Sequence, residues 1–334
     1  MQVSVVTVTY GNRWPLLEQT LRAAFDEGCS EAFVIDNEST DSITERVAEE
    51  FGERAQVTRF EENQGSSIGY HKGIERAVEC GAEWILLLDD DNRMEPGCIK
   101  TMAAAVEELQ GRVGLDRLCV AAYRPLHHQG ALRETIHDSE SDFFSFHLKD
   151  LGDKLRRHLL PGTVRRKTTT SEAPVRVRYA MFGGMLLHRS VVERIGLPNE
   201  QFILYCDDYE YSYRISSRGG EIWILPKAII TDTDATWQVA EKPQSSFDRW
   251  LSAGNQRQVY YVVRNQGYFE THCRQKRLMW RLNRAAYLTI FFLVALGKRN
   301  RAGYRLFRRA LRDGEAGRLG VNEEFPLPRP VAQG

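Results

Sequence analysis

Apolar residues in the first 120 positions form short β-branched runs that alternate with stretches of helical periodicity. Runs of this kind bounded by turn residues predict strands, and apolar residues repeating every three or four positions predict helices. The predicted strands cover residues 3–9, 32–35, 57–60 and 84–88. The β-α-β-α-β-α-β order predicts an α/β protein with a mainly parallel sheet covered by helices.

The second half of the chain has a less regular pattern. Residues 139–174 are polar and mixed in charge, which predicts a long loop or lid. Residues 179–188 and 222–230 have strand character, and residues 203–217 are predicted to be a strand end that enters a helix. Ligands of such sheets bind outside the carboxyl ends of the strands, where the polar clusters of this chain fall.

Three consecutive aspartates, Asp89 to Asp91, follow the most apolar predicted strand. Adjacent carboxylates repel each other, and a cation keeps them ionised together. Carboxylate oxygens suit Mg²⁺ or Mn²⁺. In an extended segment Asp89 and Asp91 point to one side and Asp90 to the other. The alternative is an acidic turn in which Asp89 or Asn92 caps the next segment.

Asp36 closes the second predicted strand, where a carboxylate can accept hydrogen bonds from a nucleobase or ribose. An Asx-turn is the alternative for this position. The glycines at 65, 69 and 73 follow Asn63 in a spacing that matches neither G-x-G-x-x-G nor a P-loop. Their four-residue spacing is typical of a helix that packs closely on its neighbours.

A second acidic cluster contains Asp207, Asp208 and Glu210. A carboxylate held in a cleft near other charges can acquire the pKa of a general base. Glu210 and Arg214 form an i,i+4 pair that would orient the segment. The alternative is an acidic helix N-terminus favoured by the helix dipole.

Taken together, these motifs resemble those of the family 2 glycosyltransferases of GT-A fold. The segments that carry the resemblance occur in the family's order: residues 5–10 (VVTVTY), 34–41 (VIDNESTD), 63–65 (NQG), 89–91 (DDD), 182–185 (FGGM) and 206–211 (CDDYEY). The resemblance covers about residues 1–265 and looks most like galactofuranosyltransferases, with rhamnosyltransferases of cell-surface polysaccharides close behind.

The resemblance implies an inverting, metal-dependent transferase that moves a sugar from a nucleoside-diphosphate donor to a lipid-linked or cell-surface polysaccharide acceptor. UDP-galactofuranose is the first expected donor and dTDP-rhamnose the alternative. The chain would divide into a nucleotide-sugar-binding half (1–120), an acceptor-binding and catalytic half (121–270) and a basic helical tail (271–334). The implied roles are donor binding by Thr9, Asp36, Asn63, Asp89 and Asp90, acceptor binding by Gly183, Gly184 and Asp207, and general-base catalysis by Asp208.

The implied cofactor is Mn²⁺ or Mg²⁺ held by Asp89 and Asp91. The family commonly adds a metal-binding histidine near residues 229–234, and this chain has no histidine between His188 and His272. Asp232 or Asp234 can supply an oxygen ligand instead, and Asp232 is our candidate.

The formal net charge of zero is a cancellation between two parts of the chain. Residues 274–312 contain twelve Lys or Arg and no Asp or Glu, which leaves 33 basic against 45 acidic residues elsewhere. Residues 285–296 within this stretch are apolar, as expected for a helix that lies on an anionic membrane surface. The alternative is a helical hairpin packed on the catalytic domain or a partner subunit. No nucleic-acid-binding motif accompanies the charge.

The expected location follows from the cysteines and from the N-terminal residues. Six scattered cysteines without a C-x-x-C pair fit free thiols in a reducing compartment. With no recognisable signal peptide, we expect a cytoplasmic protein that is peripheral on the inner face of the cell membrane. A homo-oligomer is compatible with the sequence.

Two other functions are alternatives to a glycosyltransferase. A sugar-nucleotide nucleotidyltransferase would need a glycine-rich basic loop, for which residues 11–13 are a poor match. A non-catalytic membrane scaffold is the other alternative, because the histidine is missing.

Overall fold

The computed structural model describes residues 1–128, 141–149, 172–234, 246–251, 255–274 and 278–328. The chain forms two compact units. The first contains residues 1–135, 170–240 and 327–334, and the second contains residues 136–169 and 241–326. The three-part division expected from the sequence stays a prediction.

The first unit is built on one sheet with the strand order β3-β2-β1-β4-β8-β6-β9-β5, and β7 pairs with β9. Strands β1 to β4 are parallel, as predicted, whereas β8 runs antiparallel to β4 and β6. The strands are β1 (Val3–Gly11), β2 (Glu31–Ser39), β3 (Ala55–Phe60), β4 (Trp84–Asp89), β5 (Asn92–Met94), β6 (Leu118–Tyr123), β7 (Val175–Val177), β8 (Met185–His188) and β9 (Glu221–Asp232).

Helices cover both faces of this sheet. They are α1 (Trp14–Asp26), α2 (Ile43–Phe51), α3 (Ser66–Glu79), α4 (Cys98–Val113), α5 (Pro125–His128), α6 (Arg189–Ile195) and α7 (Asp207–Ser217). Side chains alternate along a strand, so β1 places Val3 and Val5 in one core with α1, α2 and α4. Val6 and Val8 lie in the other core with α3, α6 and α7. The α/β fold with helices on the sheet is therefore confirmed.

The glycines of α3 allow that helix to lie directly on β1. A Cβ atom at Gly69 would come within 2.7 Å of Val8, and one at Gly73 within 2.5 Å of Val6. Both distances are shorter than a carbon–carbon contact allows. The close packing predicted from the glycine spacing is confirmed.

Two strand predictions in the second half were wrong in extent. The strand predicted over 179–188 begins only at Met185, because residues 182–184 form a turn in which Met185 N–H donates to the Phe182 carbonyl at 2.8 Å. The segment before α7 is no strand: Ile203, Tyr205 and Cys206 all have positive φ angles, of 61° to 68°. Helix α4 and strand β6 were not predicted.

The second unit has an aromatic core. Its helices are α8 (Ser246–Leu251), α9 (Gln256–Tyr268), α10 (Leu278–Gly297) and α11 (Arg301–Glu315). Tyr287 and Phe291 of α10 and Phe307 of α11 are buried, and the rings of Phe291 and Phe307 lie 4.8 Å apart. No helix within the described ranges is both long and apolar enough to cross a membrane.

Part of the predicted loop 139–174 contributes to this core. Phe143 is fully buried, and its ring lies 5.4 Å from that of Tyr287. Residues 139–140 and 150–171 of the predicted loop lie outside the described residues, as do Lys276 and Arg277 of the basic stretch.

Candidate functional site

The parallel register of β1, β2 and β4 brings several predicted residues to one edge of the sheet. Thr9 of β1 is paired with Asp36 of β2, and Val8 is paired with Asp89 of β4. Parallel strands have their carboxyl ends at the same edge, where α/β proteins bind ligands. The first polar cluster of the site is thus set by strand order.

Asp90, in the middle of the aspartate triplet, points into the protein. It is 4% exposed and accepts a hydrogen bond from Thr9 Oγ1 at 2.8 Å. Arg13 Nε and Nη2 donate to the same carboxylate at 2.8 to 3.0 Å. Burial raises the pKa of Asp90, and Arg13 opposes that shift. Asp90 thus accepts hydrogen bonds from both Thr9 and Arg13, and the role of Thr9 and Asp90 in donor binding stays a prediction.

Asp91 is also buried but less well neutralised. Asn92 Nδ2 donates to it at 3.2 Å, and Arg13 Nη2 is 3.6 Å away. Burial and the charges of Asp89 and Asp90 raise the pKa of Asp91 to about 7. An additional cation beside Asp91 would favour its ionised form.

Asp89 is the most exposed carboxylate of the triplet, with 38% of its side chain accessible. Tyr70 Oη donates to Asp89 at 2.9 Å, and Arg124 Nη1 donates at 2.8 Å. The same guanidinium forms an ion pair with Asp232 through Nη2. Sequence reasoning missed Arg124, although it follows the apolar strand β6 just as Asp89 ends β4.

Asp232 ends β9 and reaches the same cluster. Asn92 Nδ2 donates to its Oδ1 at 3.2 Å, and His127 Nε2 is 3.4 Å from its Oδ2. Burial raises the pKa of Asp232, but His127 and Arg124 together hold it below its ordinary value. A histidine of α5 therefore lies beside Asp232, whereas residues 229–234 contain none.

The chemistry of this cluster fits a divalent cation. Five carboxylates, those of Asp89, Asp90, Asp91, Asp232 and Asp234, lie beside the guanidinium groups of Arg13 and Arg124, and His127 lies beside Asp232. Carboxylate oxygens are the ligands that Mg²⁺ and Mn²⁺ prefer. Within the described ranges, no group of three or more His, Cys, Asp or Glu side chains is already arranged to hold a metal. Arg124 lies between two of the predicted ligands.

The second acidic cluster begins α7. Asp207 is buried, with Ser66 Oγ 3.5 Å from its Oδ2, and Asp208 accepts a hydrogen bond from the Tyr209 N–H at 2.8 Å. Burial raises the pKa of both carboxyl groups, that of Asp207 to about 7, and Asp89 contributes to both shifts. The charge of Asp207 raises the pKa of Asp208 further. The second cluster therefore lies within electrostatic reach of the first and contains a carboxylate that suits general-base chemistry.

Contacts with the N-terminus of α3 hold the segment before α7 in a strained backbone conformation. Ile203 has a φ angle of 65°, which is rare for a β-branched residue. Its carbonyl accepts a hydrogen bond from Ser67 N–H at 3.1 Å, and a Cβ at Gly65 would overlap this carbonyl. Strain of this kind clusters at functional sites. Gly65 thus couples the α3 N-terminus to the loop that presents Asp207 and Asp208.

Asp36 and Asn63 lie near the ends of β2 and β3 and are already engaged. Fully buried Asp36 accepts hydrogen bonds from Ser39 N–H at 2.8 Å and Arg59 Nη1 at 2.6 Å. Asn63 accepts from Asn37 Nδ2 at 3.0 Å. The turn considered as the alternative for Asp36 accounts for one of its two oxygens, and its contact with a nucleobase stays a prediction.

Gly183 and Gly184 precede β8 and lie behind the first cluster. Gly184 has a φ of 93°, and its N–H donates to the Leu87 carbonyl at 2.8 Å. A Cβ at Gly183 would overlap the Arg124 guanidinium and come within 2.7 Å of Asp89 Oδ2. The glycines therefore permit the Asp89–Arg124 pair, while their predicted role towards the acceptor stays a prediction.

Gly183→Ala is expected to weaken binding of a nucleoside diphosphate by about tenfold or more, because the methyl group forces Arg124 away from Asp89. Isothermal titration with UDP and dTDP checks this. Gly111→Ala, on an open stretch of α4, is the matched control and should bind like the wild type. Wild-type affinity in Gly183→Ala would show that the pair tolerates displacement.

Comparison with known proteins adds the family. The family model described as "Glycosyl transferase family 2" matches residues 4–196, which is more than half of the chain. The chain belongs to glycosyl transferase family 2. The resemblance inferred from the sequence motifs is therefore confirmed. The expectation of a glycosyltransferase is confirmed at the level of the family.

The chain is also similar to a curated relative and to solved structures. The dTDP-rhamnosyl transferase RfbF of Shigella flexneri is 21% identical over 230 residues, which are 67% of this chain and 66% of that protein. The structure of GalNAc-T7 with UDP, GalNAc and Mn²⁺ matches at a TM-score of 0.51 and 15% identity, covering 70% of this chain and 44% of that one. Staphylococcus aureus TarS 1–349 in complex with UDP-GlcNAc matches at 0.48 and 16%, covering 83% and 68%. The GalNAc-T7 likeness supports the expected GT-A fold.

Proposed function

We propose that the chain is an inverting glycosyltransferase that moves a sugar from a nucleoside-diphosphate donor to a hydroxyl group of a glycan or glycolipid. The observation that carries this proposal is the pairing of two clusters: a carboxylate–arginine group at Asp89 and Arg124, and the raised-pKa carboxylates of Asp207 and Asp208. The first suits the leaving diphosphate, and the second suits the acceptor.

Asp208 takes the proton of the acceptor hydroxyl as its oxygen attacks the anomeric carbon. The bond from that carbon to the diphosphate oxygen breaks, and the leaving diphosphate carries away the electron pair. A single displacement inverts the anomeric centre. Arg124, which forms ion pairs with Asp89 and Asp232, supplies fixed positive charge at the first cluster.

Asp89, Asp91 and Asp232 would hold the proposed Mn²⁺ or Mg²⁺. Such an ion neutralises negative charge on the leaving diphosphate when it is bound. The raised pKa of Asp91 supports the proposal, because the cations of the described residues, Arg13 and Arg124, only partly offset the burial of that carboxyl.

For the donor we propose dTDP-rhamnose first, because the curated relative is named a dTDP-rhamnosyl transferase. UDP-galactofuranose, the donor favoured by the sequence motifs, is the second candidate. The proposed acceptor is a lipid-linked or cell-surface polysaccharide, reached by a protein that is peripheral on the inner face of the cell membrane.

Donor hydrolysis and transfer are measured over a panel of nucleotide sugars with Mn²⁺. We expect release of dTDP from dTDP-rhamnose, or of UDP from UDP-galactofuranose, to exceed release from the other donors at least tenfold. Pyrophosphate formation from a nucleoside triphosphate and a sugar phosphate would instead identify a nucleotidyltransferase. No turnover with any donor would favour a non-catalytic scaffold.

Asp232→Ala is expected to weaken Mn²⁺ binding about tenfold or more, because one proposed oxygen ligand is lost. Electron paramagnetic resonance of free Mn²⁺ measures this without turnover. Asp116→Ala is the matched control, since Asp116 lies beyond the opposite end of β6 and pairs with Arg194. Unchanged Mn²⁺ affinity in Asp232→Ala removes Asp232 from the ligand set.

A further inference from the structure

Helix α10 is apolar on two opposite faces, and only one of them is buried. The inner face contributes Trp280, Tyr287, Phe291 and Ala295 to the core of the second unit. Helices α10 and α11 pack on each other as a hairpin. The alternative that such a hairpin packs on the catalytic domain or a partner subunit stays a prediction. The packing of the inner face leaves the other face of α10 to be explained.

The outer face of α10 is exposed over the whole length of the helix. Its residues recur at helical spacing, so that they form one continuous stripe. The exposed apolar members of this outer stripe are Leu278, Leu282, Phe292, Leu293 and Leu296, with exposed fractions of 44% to 74%. Thr289 and Arg281 are the polar members. Exposed apolar stripes of this kind mark an interaction surface.

Helix α11 carries a row of positive charge. Arg301, Arg305, Arg308 and Arg312 are spaced by three or four residues and therefore lie on one face. None of these four forms an ion pair with a carboxylate of the described residues, whereas Arg309, just outside the row, pairs with Glu324. The positive charge of the arginine row is therefore not neutralised by a carboxylate of the described residues and is available to an external partner.

The outer stripe and the arginine row adjoin each other. The exposed ring of Phe292 lies 5.4 Å from the ring of Tyr304 in α11. Tyr304 is three residues from Arg301 and four from Arg308, so both arginines lie within one turn of this contact. Apolar and cationic groups therefore form a single surface.

We infer that this surface binds an anionic lipid bilayer, with α10 lying in the plane of the interface. An apolar stripe alone would suit a second protein copy, and an arginine row alone would suit any polyanion. Their combination suits a bilayer, because acyl chains accept the apolar side chains while anionic headgroups meet the arginines. This inference names the partner behind the peripheral location given in the proposed function. It rests on the proposed function for the lipid-linked acceptor, but it does not depend on which sugar is transferred.

Co-sedimentation of the full chain with vesicles tests the inference. We expect binding to vesicles of phosphatidylcholine with 30% phosphatidylglycerol, an illustrative composition, and weak binding to phosphatidylcholine alone. The triple variant Arg301→Gln, Arg305→Gln, Arg308→Gln should bind the anionic vesicles about a hundredfold more weakly. Phe292→Ser with Leu293→Ser should reduce binding at least tenfold.

The matched control removes three exposed arginines from the first unit: Arg22→Gln, Arg76→Gln and Arg112→Gln. It has the same net charge as the α11 triple variant and should bind anionic vesicles like the wild type. An equal loss of vesicle binding in the control would show that net charge alone causes the effect, and this would overturn the inference. Wild-type binding by both surface variants would also overturn it.

Light scattering in the absence of lipid tests whether a second copy of the chain binds this surface instead. A wild-type dimer that Phe292→Ser with Leu293→Ser converts to a monomer would assign the surface to a second copy, contrary to the inference. Donor hydrolysis separates the two proposals, because the surface variants should hydrolyse the donor like the wild type. Vesicle binding without hydrolysis by any protein would refute the transferase and leave the membrane surface standing.

Discussion

Asp208→Asn should lower the rate of sugar transfer by about a hundredfold to ten-thousandfold while leaving donor binding unchanged. An amide cannot take the proton from the acceptor hydroxyl, yet it has nearly the shape of the carboxylate and still accepts the Tyr209 N–H. Single-turnover transfer measures the loss, and isothermal titration with the donor nucleotide measures binding. Transfer at a rate close to the wild type would show that Asp208 is not the base.

The pH profile distinguishes a base from a structural carboxylate. Asp208 must be ionised to accept a proton, so the transfer rate should fall as the pH drops through the pKa of Asp208. That pKa lies well above the ordinary aspartate value of about 4. Asp207→Asn removes the repulsion that raises this pKa, and the acidic limb should then move to lower pH. Asp116→Asn, a substitution of an exposed and distant aspartate, should leave both rate and profile unchanged.

Local patterns predicted the first half of the fold well. The apolar runs that became β1, β2 and β4 are buried on both faces, so a short run was sufficient to locate each of these strands. The edge strand β3 is only partly buried. The glycines of α3 were interpretable because their only packing requirement is space against Val6 and Val8. Such signals lie within a few residues of the element they specify.

The partners of the carboxylates could not be predicted in the same way. Arg124 meets Asp89 and Asp232 because β8 lies between β4 and β6, and because β9 is the next strand after β6. That strand order is not written in any local pattern. Arg13 and His127 reach the cluster for the same reason, although each stands in a turn or short helix next to a strand end.

The strained turn before α7 could not be predicted from local strand propensity. Ile203 and Tyr205 have high strand propensity, and only tertiary contacts such as that with Gly65 hold them at positive φ. For the basic tail, both alternatives taken from the sequence stay predictions. One face of α10 packs in the core and the opposite face is free to bind something else.

Arg13→Ala is expected to destabilise the first unit by about 3–5 kcal/mol. The substitution removes the guanidinium that donates three hydrogen bonds to Asp90, whose side chain is only 5% exposed, and that also pairs with Asp234 at 2.8 Å. Asp90 would remain as a buried charge without a counter-ion. Hydrogen exchange of the slowest amides of β1 and β4 measures the loss within this unit alone.

The pH dependence and a second substitution identify the cause. Without Arg13 the pKa of Asp90 rises further above that of the unfolded chain, so the stability deficit should shrink as pH falls from 7 towards 5. Asp90→Asn in the Arg13→Ala background removes the buried charge and should recover part of the loss. Arg22→Ala, which breaks only exposed ion pairs with Glu18 and Glu50, should exchange like the wild type. A deficit that is independent of pH and unrelieved by Asp90→Asn would mean that Arg13 stabilises the unit through packing rather than charge.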